Sequence, residues 1–262
     1  MFNSLKEKEV GFSQLFSMSK EVYKKNIKTM IFILILLFLP INIIFGVLNN
    51  FMANSVSSIN IDILLENIEN IGMNALPKEY IIYNFLYMTV QLFFEPLGIM
   101  AVAYVTYKYV FNESINYKQA ISRSLEKGGM FLVSAFIYIL FIFIGMSFIF
   151  PGIYIGIAGY FYMYAIVIDD KNPLSAIIYS LKTVKNRWFK TCTYLIIIGI
   201  CNYSISVLMS YIFASVIEQN IFIGTVLIQT ANQFFNIVFY CLITLMYINR
   251  KLIIENKNKN GI

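Results

Sequence analysis

Apolar residues gather into six runs long enough to cross a bilayer, at about 27–49, 80–108, 129–149, 152–168, 189–216 and 221–248. A helix needs about 20 residues to traverse a hydrocarbon core roughly 30 Å thick. Six such spans take about half of the 262 residues and leave loops and short surface helices. The pattern predicts a single all-α integral membrane domain over 1–262, a polytopic transmembrane six-helix bundle with no space for a separate catalytic domain. Between the runs, helical periodicity continues. Residues 11–26 (GFSQLFSMSKEVYKKN) predict a short interfacial helix, apolar face among the lipid headgroups and lysines toward phosphate. In 61–71 (IDILLENIENI), Ile61, Leu64, Leu65, Ile68 and Ile71 form one stripe, which predicts an amphipathic helix on the outer surface.

Pro151 and Gly152 predict a tight external turn that makes the third and fourth runs an antiparallel hairpin. Proline suits the first turn of a helix, where its missing N–H costs nothing, and glycine permits the turn itself. Gly152, Gly156 and Gly159 also let a neighbouring backbone approach the fourth run. The map contains a repeat. Residues 120–125 (AISRSL) and 176–181 (AIIYSL) each precede an outward span, and 15–20 (LFSMSK) is a weaker copy before the first. The unit expected is a cytoplasmic interfacial helix, an outward span and an inward span, three times in tandem about an axis along the membrane normal.

Charge orients the map. Of the twenty Lys and Arg residues, all except Lys78 lie before or at the start of the first run, from the end of the second to the third, from the fourth to the start of the fifth, or after the sixth. Basic side chains are retained in the cytoplasm during insertion, so both termini are expected there, in the cell (inner or plasma) membrane. At 59% hydrophobic and 13% charged, the chain is too apolar for an ordinary soluble domain. Its net charge of +6 is spread over four segments and mixed with acids, which fits lipid headgroups and not nucleic acid. Cys192, Cys201 and Cys241 fall in or beside apolar runs without a metal-binding spacing, and there is no histidine. No metal or cofactor is expected, and the first run is too long and lacks the small-residue site of a cleaved signal.

Phe150-Pro151-Gly152-Ile153-Tyr154, then Ala165-Ile166-Val167-Ile168-Asp169-Asp170, then Pro173-Leu174-Ser175-Ala176 with Ser180-Leu181-Lys182, carry a resemblance. This stretch resembles the bacterial membrane domain fused to some glycerophosphodiester phosphodiesterases and its stand-alone YciC-like relatives. In that superfamily a PGIY-like turn opens a helix, an acidic pair closes it and an amphipathic segment follows. The resemblance implies a six-helix membrane bundle and no activity, since the catalytic domain is a separate module.

Glu95 is the ionisable side chain placed near the middle of a span. Burial there is expensive, so it is expected to face the bundle interior or water, near the sixth span. Gln91 lies one turn earlier, and Pro96 removes a backbone hydrogen bond. The sixth span carries Gln229, Asn232, Gln233 and Asn236 on one face at the same depth, and the fifth carries Asn202, Ser206 and Ser210. These six residues, Glu95, Gln91, Gln229, Asn232, Gln233 and Asn236, either line a hydrated cavity for a polar substrate or hold helices together. Asp169 and Asp170, followed by Asn172-Pro173, are expected to cap the next helix. Tyr104, Tyr107, Tyr109, Tyr160, Tyr162 and Tyr164 are expected in an interfacial aromatic belt, with Arg187 and Trp188 anchoring the fifth span.

One buried carboxylate, with no histidine, no Asp paired with it inside the spans and no evident nucleophile, leaves acid–base and covalent catalysis without their residues, so an enzyme is not expected. The leading expectation is a transport-related membrane subunit, permease-like or exporter-associated, with an ATP-binding-cassette ATPase or another membrane protein as partner. The alternative is a non-transporting scaffold, or a modulator of envelope lipids or of a partner protein.

Overall fold

The computed structural model describes residue 2 and residues 4–57 and 76–259, so the expected outer helix at 61–71 lies outside the described residues. Among them the secondary structure is helical throughout, without strands. The elements are α1 (Ser4–Glu7), α2 (Phe12–Lys25), α3 (Ile27–Val56), α4 (Lys78–Phe93), α5 (Glu95–Val110) and α6 (Tyr117–Met146). There follow α7 (Phe150–Ala158), α8 (Tyr162–Asp169), α9 (Pro173–Val184), α10 (Trp188–Ile212), α11 (Ala214–Gln219) and α12 (Ile221–Lys259). Six stretches are long and apolar enough to cross a membrane: α3, α4–α5, α6, α7–α8, α9–α10 and most of α12.

The expected boundaries shift where local chemistry overrides hydropathy. Asn116 and Gln119 form a capping box, each side chain satisfying the other's backbone N–H, so one helix runs from Tyr117 through 30 residues to Met146. The interfacial helix expected near 115–126 and the third span are thus one rod. The fifth stretch starts at Pro173 and passes through a 3₁₀ turn at Lys185–Arg187 before α10. In α3 the turns widen to a π-helix over Leu34–Phe38, just ahead of Pro40, which has no N–H to give the helix.

The turn of the hairpin differs from expectation. The reversal occupies Ser147–Ile149, where Ile149 takes φ 56°, a left-handed conformation that costs a β-branched residue strain. Pro151 does occupy the first turn of α7, but Gly152 lies inside that helix. A Cβ at Gly152 would strike the backbone and side chain of Met146, so the glycine serves close packing and not the turn. Nor does the fourth stretch cross as a straight span at 152–168. It breaks at Gly159–Phe161, and Tyr154 near its start stacks on Trp188, with ring centroids 6.1 Å apart. The beginning of α7 is therefore beside a segment that the charge pattern assigns to the opposite, cytoplasmic side.

α12 is the centre of the fold. It packs against α1, α2, α3, α5, α9, α10 and α11, and every residue from Phe239 to Arg250 is buried, more than three turns enclosed on all sides. α6 and α10 stand outside it, with rows of exposed apolar residues such as Phe136, Phe143, Ile196, Ile200 and Tyr203. The apolar face of α2 (Leu15, Met18, Val22) is buried. It rests on α12 and not in headgroups.

In the three matched sequence segments the first and fifth positions, Leu15 and Ser19, Ala120 and Ser124, Ala176 and Ser180, all point inward and are buried. Two of the serines bond helices broken nearby. Ser124 Oγ donates to the Leu97 carbonyl at 2.5 Å, just past the α4–α5 break. Ser180 Oγ donates to the Ala158 carbonyl at 2.7 Å and accepts from the Phe161 N–H at 3.0 Å, spanning the α7–α8 break. Ser19 faces unbroken α12, which offers no free carbonyl, and bonds back to Phe16 O at 2.8 Å within its own helix. Ser180→Ala leaves a buried donor and acceptor unmatched. It is expected to cost about 1–3 kcal/mol, whereas Ser19→Ala costs less than half of that in the same thermal-unfolding assay.

Candidate functional site

Pro96 has no N–H to continue the ladder, so α4 ends at Phe93 and α5 begins at Glu95. The break rotates the second half against the first. Gln91, expected on the same face as Glu95, is consequently exposed on the bundle surface. Glu95 turns inward and accepts a hydrogen bond from Gln233 Nε2 of α12 at 2.5 Å. Gln233 Oε1 in turn accepts from Tyr240 OH at 2.8 Å, which makes a three-residue chain, and the Tyr160 hydroxyl lies within electrostatic reach of the carboxylate. One turn along α5, Gly98 leaves room for the Phe38 ring of the π segment, which a Cβ there would strike. Phe38 then stacks on Tyr240, with centroids 6.1 Å apart.

The rest of the polar face of α12 does not converge on Glu95. Gln229 Nε2 donates to Tyr87 OH on α4 at 3.0 Å, and Thr230 accepts from Asn42 on α3 at 3.1 Å. Asn232 Nδ2 donates to Ser206 Oγ on α10 at 3.4 Å. The stripe thus fans out to three neighbouring helices. α10 and α12 are antiparallel, so the 206–232 pair sets Asn202 opposite Asn236 one turn away. The amide oxygens of Asn202, Asn232 and Asn236 are buried without a protein hydrogen-bond partner. Ser210 is exposed and takes no part.

The acidic pair does not cap α9. Asn172 occupies the cap position without a side-chain bond, and both aspartates are taken by cations from other helices. Asp169 pairs with Lys251 and accepts from Tyr247 OH, both on α12. Asp170, in a left-handed conformation at φ 54°, pairs with Lys127 and, at 2.6 Å, with Arg123 on α6. Hydrogen bonds from Arg123 and Lys127 hold the Asp170 carboxyl below the usual carboxylate range. More than half of that side chain is exposed, so solvent screening keeps its contribution small. The tyrosines also depart from the expected belt. Tyr162 and Tyr164 are core residues, buried to 6% and 0% exposure, while Tyr104 and Tyr107 receive Arg123 and Lys251 over their rings.

Hydropathy gave no hint of what residues 249–251 do. Asn249 Nδ2 donates to the carbonyls of Leu5 (2.9 Å) and Lys8 (2.8 Å), and its Oδ1 accepts from the Val10 N–H at 3.1 Å. Arg250, buried at 2% exposure, bonds Thr191 of α10 and lies 5.7 Å from the Phe161 ring centroid. Lys251 holds Asp169. Three consecutive residues tie the N-terminal segment, α10 and α8 to the end of α12. The N-terminal segment is held a second time by Glu9, 3.1 Å from both Arg187 and Lys190. Burial alone would raise the Glu9 carboxyl, but hydrogen bonds and charge from Lys190 and Arg187 outweigh it and keep it below its ordinary value.

A family model described as a domain of unknown function, DUF7847, matches residues 27–249. The chain belongs to that family. No curated protein and no solved structure matches it. The matched region takes in all of α3 to α11 and α12 as far as Asn249, and with it Glu95, Gln233 and the aspartate pair. The family match carries no link to the glycerophosphodiester phosphodiesterase membrane domain that the segment around Pro151 resembles.

Proposed function

We propose that this chain is a multi-pass protein of the cell membrane, with six spans and cytoplasmic termini, built of three tandem units. In this reading it is a non-transporting scaffold that organises envelope lipids or a partner protein. One observation carries it: the midplane polar groups are used between helices, and the α12 helix around which they are arranged is enclosed from Phe239 to Arg250. A carrier needs its polar groups open to a substrate path, whereas Gln229, Asn232 and Gln233 each bind a different helix. The 680 Å³ cavity lies between the start of α7 and residues 185–190, the 660 Å³ cavity lies among charged residues of 104–126, and Glu95 lines neither. The inward-facing pairs 15/19, 120/124 and 176/180 support the three-unit reading.

A transport-related subunit is the second reading, and the unpartnered oxygens of Asn202, Asn232 and Asn236 favour it. Buried acceptors without protein donors call for water or another donor. A hydrated α10–α12 seam would be the remnant of a path, with an ATP-binding-cassette ATPase docked on the cytoplasmic helices. Topology is tested directly by reporter fusions. Fusions after 115, 180 and 255 are expected to read as cytoplasmic, and fusions near 65 and 152 as external. A cytoplasmic signal at 65 would put every basic segment on the wrong side and overturn the six-span arrangement.

A further inference from the structure

The 680 Å³ cavity joins an aromatic wall to a basic rim. Its wall is aromatic: Tyr154 stacks on Trp188, and Phe150 and Phe189 flank them, exposed at 83% and 81%. The indole N–H of Trp188 is already donated to the Tyr154 carbonyl at 3.3 Å, so the wall keeps no indole donor for a polar guest. The rim is basic: Lys185, Arg187 and Lys190 face Glu9 as the one carboxylate in the lining. Glu9 engages Arg187 and Lys190. Lys185 is exposed and makes no ion pair among the described residues. The rim therefore keeps an excess of two positive charges beside an apolar slot whose volume is that of an ordinary ligand site.

An aromatic slot ending in uncompensated cations is complementary to an amphiphile with an anionic head. We infer that this cavity binds an anionic phospholipid, its phosphate at Lys185 and Arg187 and an acyl chain along Trp188, Tyr154 and Phe150. A zwitterionic lipid would satisfy the wall but bring no net charge to the rim. A soluble anion would satisfy the rim but leave the aromatic surface in water. The inference rests on the membrane reading above and gives the scaffold a specific lipid to hold.

Trp188 is the chain's one tryptophan, so its fluorescence reports this site alone. The full chain is reconstituted in phosphatidylcholine vesicles, and the mole fraction of acyl-brominated phosphatidylglycerol or acyl-brominated phosphatidylcholine is raised. Half-quenching is expected at about a fivefold lower fraction of the anionic lipid, the size of one added lysine–lipid attraction. Lys185→Gln should abolish that preference. Lys24→Gln with Lys25→Gln, basic positions outside the cavity, should leave it intact. Equal quenching by the two lipids, or a preference that survives Lys185→Gln or falls equally in the Lys24/Lys25 variant, would overturn the site while the membrane reading stands. Quenching by neither lipid would place Trp188 away from acyl chains and overturn the site as well, while failure of the chain to float with the vesicles would overturn the membrane reading itself.

Discussion

Asp169→Ala is expected to destabilise the bundle by about 3–5 kcal/mol, the cost of leaving one member of a buried ion pair without its partner. Asp169 and Lys251 keep only 9% and 14% of their side-chain exposure. Removing the carboxylate strands the ammonium, and the Tyr247 hydroxyl loses its acceptor as well. The same physics predicts a rescue. Asp169→Leu combined with Lys251→Met removes both charges and fills the space with apolar groups, which is often neutral or stabilising in buried pairs. Thermal or denaturant unfolding of the purified chain measures both. A single-variant loss below about 1 kcal/mol would mean that water reaches the pair and screens it as at a surface. Asp170→Ala serves as the comparison. Its side chain is more than half exposed, and the loss there is expected to be small although it meets two cations.

This contrast marks the limit of what the chain discloses on its own. Six apolar stretches were legible because each satisfies a one-dimensional requirement, length at low polarity, and the structure has six of them. The pairing of Glu95 with α12 was legible by elimination, since an unpaired interior carboxyl is costly and the concentrated polar face lay on one helix. Gln91 was misplaced because periodicity carries a face through a helix break, and the Pro96 break rotates it. The acidic pair was misread for a different reason. Capping is local and visible in sequence, whereas the partners of Asp169 are 82 and 78 residues away. Residues 249–251 were hidden in the same way. A run of Asn, Arg and Lys after an apolar stretch has the composition of a cytoplasmic end, and nothing local indicates that all three grip other elements. The charged side chains from which an orientation is expected also carry tertiary contacts that hydropathy does not register.

Glu95 decides between the two functional readings, and the substitution that separates them is nearly isosteric. Under the scaffold reading Glu95→Gln is expected to leave unfolding within about 0.5 kcal/mol of the parent, because the amide oxygen still accepts from Gln233 at the same position. Glu95→Leu leaves the Gln233 Nε2 donor buried without an acceptor, and is expected to cost about 1–3 kcal/mol. Gln233 remains joined to Tyr240 through its other end, so the chain is shortened and not dissolved. A double-mutant cycle with Gln233→Leu isolates the pair. Membrane-protein hydrogen bonds average roughly 0.6 kcal/mol in such cycles, and this one, short at 2.5 Å and buried, is expected above that average. A coupling near zero would remove the pair from the cohesion of the bundle and with it the main support for the scaffold reading. Under the transport reading the same Glu95→Gln variant remains folded but loses whatever flux depends on an ionisable group, since the amide keeps size and hydrogen bonding and cannot take up or release a proton. The two outcomes do not overlap: one variant, equally stable in both cases, is either silent or inactive.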